Sequence, residues 1–63
     1  MTKLKDLELT CGTKKLTIEG QFDSDEEVYI VVEDTWNGNE VGLYAMEIDL
    51  EKMYEHIGKL LDK

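Results

Sequence analysis

The sequence predicts a small α+β domain: a four-stranded antiparallel sheet made of two hairpins, with one C-terminal helix packed on one face, in the order ββββα. Three observations lead there. Gly12-Thr13 divides two stretches that alternate apolar and polar residues. Asn37-Gly38 divides two runs rich in Val, Ile, Leu and Tyr. The C-terminal segment then repeats apolar residues at helical spacing. Glycine-containing pairs between apolar runs are the strongest short-range hairpin signal, and the period of the apolar pattern separates strand from helix.

The first hairpin is LKDLELTCGTKKLTIEGQF. If Gly12-Thr13 forms a two-residue type II′ loop, Cys11 pairs with Lys14, Leu9 with Leu16 and Leu7 with Ile18. Side chains alternate across a strand, so Leu7, Leu9, Leu16 and Ile18 share one face. Asp6, Glu8, Thr10, Lys15, Thr17 and Glu19 share the other, which faces water. Phe22 is expected to continue the apolar face as the strand ends. DSDEE (residues 23 to 27) then reads as a solvated acidic turn.

The second hairpin is apolar on both sides. With Asn37-Gly38 as a two-residue type I′ turn, Trp36 faces Asn39, Val32 faces Leu43, Ile30 faces Ala45, Val31 faces Tyr44 and Tyr29 faces Met46. One face then carries Val28, Ile30, Val32, Leu43 and Ala45, with Val41 nearer the tip. The other carries Tyr29, Val31, Tyr44 and Met46, with Ile48 at its end and Glu33, Thr35 and Glu40 towards the tip.

The helix is expected over about Leu50 to Leu61, with Asp49 as N-cap and Glu51 at the positive end of the dipole. Leu50, Met53, Tyr54, Ile57, Leu60 and Leu61 make one apolar stripe. Lys59 and Lys63 suit the negative end, and Gly58 weakens the helix interior by about 1 kcal/mol against Ala. A helix of this length is about 18 Å long and covers one face of the sheet. The aliphatic face of Leu7, Leu9, Leu16, Ile18, Ile30, Val32, Leu43 and Ala45 is the expected one, because Ala45 allows close approach. Tyr29, Val31, Tyr44 and Met46 would then remain as an exposed apolar strip, a pattern that marks interaction sites.

Length and charge narrow the function. Sixty-three residues make a single domain, 1–63, whose core is marginal without a staple. One cysteine excludes an intrachain disulfide, and no Cys/His cluster offers a structural zinc site, so association is the remaining route to extra stability. The lone thiol, the absence of a transmembrane-length apolar run and a start at Met-Thr-Lys-Leu-Lys suggest a cytoplasmic protein, complete from its initiator Met. The formal net charge is −8. All seven basic residues are lysines, and none lies between Leu16 and Glu51, where eleven acids fall. Direct nucleic-acid or anionic-membrane binding is disfavoured, and a partner with a basic surface is favoured.

Catalysis finds little support. His56 lies on the polar side of the helix between Lys52 and Lys59, with no partner for general base chemistry. Cys11 has Lys14 opposite, yet the one histidine is on a distant element. Asp23, Asp25, Glu27 and Asp34 fit calcium-loop positions 1, 3, 5 and 12, but Val28 replaces the required Gly at position 6. The expectation is therefore no enzyme, no metal and no cofactor.

The expected activity is binding. The candidate partner-binding residues are Tyr29, Val31, Tyr44 and Met46, with Trp36 as an aromatic anchor and the acids Asp23, Asp25, Glu26, Glu27, Glu33, Asp34 and Glu40 around them. Carboxylates spread over a small rigid sheet imitate a row of phosphates, so a basic, nucleic-acid-binding surface is a natural target. In overall character the chain resembles the small acidic inhibitors of phages and mobile elements: anti-restriction, anti-CRISPR and DNA-mimic proteins. That resemblance lies in size, charge and single-domain economy, not in a motif, and it implies a stoichiometric inhibitor that occludes its target. The alternative is a homodimeric structural or accessory protein that self-associates through the Tyr29, Val31, Tyr44 and Met46 strip.

Overall fold

The computed structural model describes residues 4–62, so Lys63 and the first three residues lie outside it. Four strands form one antiparallel sheet: β1 (Leu7–Cys11), β2 (Lys14–Ile18), β3 (Glu27–Asp34) and β4 (Glu40–Met46). They lie side by side in chain order, β1-β2-β3-β4. Helix α1 (Glu47–Leu61) completes ββββα.

The first hairpin takes the expected register, with Cys11 opposite Lys14, Leu9 opposite Leu16 and Leu7 opposite Ile18. Gly12 adopts a positive φ of 61° and Thr13 does not, the pattern of a type II′ loop.

The second hairpin differs from its expected register by two residues. Ile30 faces Leu43, Val32 faces Val41, Tyr29 faces Tyr44 and Val28 faces Ala45. A type I′ turn needs positive φ at both central residues, but here Gly38 has φ 77° and Asn37 stays negative. The chain instead closes a longer loop of Thr35, Trp36, Asn37 and Gly38. The Asp34 N–H donates to the Asn39 carbonyl (2.7 Å) and the Gly38 N–H to the Asp34 carbonyl (2.8 Å). Two acceptor side chains hold this loop: Asp34 Oδ1 takes the Trp36 N–H and Asn37 Oδ1 takes the Asn39 N–H, each at 2.9 Å. A two-residue slip leaves every side chain on its expected face, because the strand period is two.

The sheet therefore has an aliphatic face in three rows. Leu9, Leu16, Val32 and Val41 form one, Leu7, Ile18, Ile30 and Leu43 the next, and Val28 with Ala45 the last. Only that last row is closed: Val28 is 4% exposed and Ala45 0%. Val41 is 72% exposed, Leu43 55% and Leu9 53%.

The helix does not cover the face as expected, and its starting point explains why. It begins at Glu47, directly after the last residue of β4, rather than at Leu50. Asp49 is not the N-cap; from inside the first turn its Oδ2 accepts the Met46 N–H at 3.0 Å. Residues 47 to 49, which could have turned the chain back over the sheet, are instead helical. With no connecting residue the helix cannot reverse. Its early turns lie against β4, with Leu50 and Met53 half-buried. Further on, Ile57, Leu60 and Leu61 are exposed. Lys59 pairs with Glu55 at 3.3 Å in the last turns. No helix of the described residues is long and apolar enough to cross a membrane.

Candidate functional site

On its second face, β3 and β4 supply an apolar centre with acids at both ends. Tyr29 and Tyr44 stand opposite each other, their ring centroids 4.8 Å apart and their planes tilted by 41°. Offset or tilted aromatic pairs at such separations are favourable beyond their buried area. The Tyr29 ring reaches over Gly42, where a Cβ would come within 2.5 Å of the Tyr29 hydroxyl oxygen. A glycine inside a strand weakens pairing, and here it makes room for the tyrosine. Val31 lies opposite Gly42, and Glu27 opposite Met46. Tyr44 and Met46 are exposed, while Tyr29 and Val31 are half-buried.

The strip is longer than the strand pattern implies. Phe22 does not continue the aliphatic face; it shares a hollow at the end of the sheet with Glu26, Met46, Glu47 and Ile48. Phe22 belongs with the candidate site, yet sequence reasoning assigned it elsewhere. The chain leaves the strand after Ile18, so alternation no longer fixes the direction of a residue four positions on.

Towards the loop, Glu33 and Glu40 are directly opposed across β3 and β4. Like charges in this position destabilise a sheet. Lys15 stands across from Glu33 on the other side, and its ammonium lies 3.5 Å from Glu8. At the far end of β3 comes the acidic turn. Asp23 Oδ1 accepts the N–H groups of Asp25 (2.9 Å) and Glu27 (3.0 Å), and the Asp23 N–H donates to the Glu27 carbonyl (2.8 Å). Glu26 takes a positive φ of 62° within this turn. Carboxylate oxygens of Asp23, Asp25 and Glu27 lie within 4.8 Å of one another. DSDEE is thus a formed turn in which one carboxylate organises the backbone and its neighbours face solvent.

Two expected members stand apart from this face. Asp34 belongs to the opposite side, at the edge of the aliphatic face in line with Lys14. Lys14 Nζ donates to its Oδ2 at 3.0 Å. That bond first, and then the Trp36 N–H on Oδ1, holds the Asp34 carboxyl below its ordinary value. Asp34 therefore shapes the loop. Trp36 is 85% exposed in the β3–β4 loop, at the end of the sheet away from the helix start, so it does not fold over the helix. Next to it, the Thr35 N–H and hydroxyl both donate to the Thr13 carbonyl, at 2.7 and 2.9 Å, tying the two hairpin tips together.

His56 is exposed on α1 and Cys11 is exposed at the end of β1. They lie on different elements and have no shared site among the described residues. No family model, curated protein or solved structure matches the chain.

Proposed function

We propose that this protein acts by binding, as a small acidic inhibitor or adaptor that occupies a basic, nucleic-acid-binding surface of a target protein. The observation that carries the reading is the layout of the second sheet face. Tyr29, Tyr44 and Met46 form an apolar centre, with Glu33 and Glu40 at one end and Glu27 and its acidic turn at the other. Aromatic residues at the centre and charge at the rim is the usual anatomy of a protein interface. Six residue steps of extended strand from Glu27 to Glu33 place the two acidic ends about 20 Å apart. Fixed carboxylates on a rigid sheet steer a cationic surface and compete there with phosphates. The phage-type inhibitors that the chain resembles in size and charge work in this way.

The reading is tested with a partner captured by the tagged protein. Capture should weaken at high salt, fall on the double substitution Glu33→Gln and Glu40→Gln, and be displaced by duplex DNA. Salt-insensitive capture that DNA leaves intact would reject it.

A further inference from the structure

We infer that the aliphatic sheet face is covered by a second copy of this chain, each copy laying the exposed end of its helix on the sheet of the other. This rests on different residues from the proposed function and does not depend on it.

The single chain is too open to be a finished fold. A compact protein of this length exposes about 4,200 Å², and this one exposes 5682 Å². Its Cα radius of gyration is 13.2 Å, against about 10.6 Å for a compact domain of its length. The surplus of about 1,500 Å² per chain exceeds the roughly 800 Å² that each partner buries in a standard interface, and falls in the range of obligate homodimers. Much of it is apolar and lies in two places: the aliphatic rows around Leu9, Val41 and Leu43, and the helix end with Ile57, Leu60 and Leu61.

These surfaces match each other in kind. One is a flat aliphatic sheet and the other an amphipathic helix stripe, which is how helices pack on sheets. They cannot meet within one chain, because the helix follows β4 without a connecting residue. Between two copies the exchange is reciprocal and closes under a two-fold axis.

Charge points to the same occupant. A chain of net charge −8 should repel its own copy. Yet the strand residues of the aliphatic face include just two charges, Lys14 and Asp34, paired at 3.0 Å. The acids Glu27, Glu33 and Glu40 lie on the other face, which the dimer leaves outside. A basic partner would find no complementary charge on the aliphatic side, whereas a second copy brings the matching helix.

Sedimentation equilibrium on the intact chain at micromolar concentration tests this, with thermal melts across a concentration series. The expected result is twice the chain mass and a Tm that rises with concentration. Leu60→Glu is the informative variant: Leu60 is 69% exposed in the single chain, so a monomer would melt unchanged. In the dimer the substitution should weaken association at least about 100-fold, and Leu43→Lys should do the same from the sheet side. Tyr44→Lys, on the opposite face, should leave the dimer intact. A monomer with a concentration-independent melt, or a compact monomer by X-ray scattering, would overturn the inference. So would a dimer that Tyr44→Lys dissociates and Leu60→Glu does not.

Discussion

The two ends of the aliphatic face are built from the same kinds of residue and meet opposite fates. Val28 and Ala45 are buried; Val32 and Val41, two rows along the same strands, are exposed. Apolarity does not distinguish them. Distance from the strand–helix junction does: Val28 and Ala45 form the row nearest the start of α1, and Val32 and Val41 lie two rows further from it. Burial in this molecule is allotted by chain connectivity, within a supply of apolar side chains larger than one chain can cover.

The largest expected effect is at the closed end. Ala45→Asp would bury a carboxylate with no partner, and loss of the cooperative unfolding transition by circular dichroism is expected. Val28→Ala should cost about 2 kcal/mol in denaturant titration, from lost burial and the cavity left behind. The same truncation at Val41 sharpens the comparison. Within a single chain it should change stability by less than about 0.5 kcal/mol. A loss approaching that of Val28→Ala would show the open end to be covered in solution.

On the second face, Gly42→Ala should destabilise by at least about 1 kcal/mol despite the better strand propensity of alanine, because the new methyl group would collide with the Tyr29 ring and with the Ile30 backbone carbonyl. Tyr29→Phe removes the hydroxyl contact alone: the ring carbon at 2.7 Å and the Ile30 carbonyl oxygen at 2.8 Å still face the new methyl group, so the double variant should keep most of the loss. Glu33→Gln should stabilise by about 0.3 kcal/mol through relief of the Glu33–Glu40 repulsion.

The smallest effect is the pH dependence of the Lys14–Asp34 pair. The Asp34 carboxyl sits below its ordinary value of 3.8 in the folded chain. Its contribution is therefore complete above that value and is lost as the pH falls through the lower folded value. Asp34→Asn should differ from the native chain at neutral pH, with the difference shrinking below about pH 4. A difference that persists undiminished in acid would assign the role of Asp34 to shape rather than charge.

What the sequence by itself determined is periodic. Alternation placed the apolar strand residues of both hairpins on their faces, and it did so even where the register was wrong, since the slip at the second hairpin was an even number of residues. Gly12-Thr13 supplied both turn and register for the first hairpin, because a two-residue loop allows one pairing. The strip of Tyr29, Val31, Tyr44 and Met46 was legible for the same reason. Asn37-Gly38 located a turn without fixing its length. Competing hydrogen bonds from Asp34 and Asn37 made the longer loop, and those depend on side-chain geometry that spacing does not encode. Phe22 and Asp34 were misassigned where the chain leaves the strand or where an ion pair engages the carboxylate. Only the tertiary structure decided what the helix covers. The apolar stripe was plain in the sequence, but its reach depended on a start at Glu47 that consumed the connecting residues. A helix fused to the end of a strand cannot turn back on it, and so most of an aliphatic face stays open.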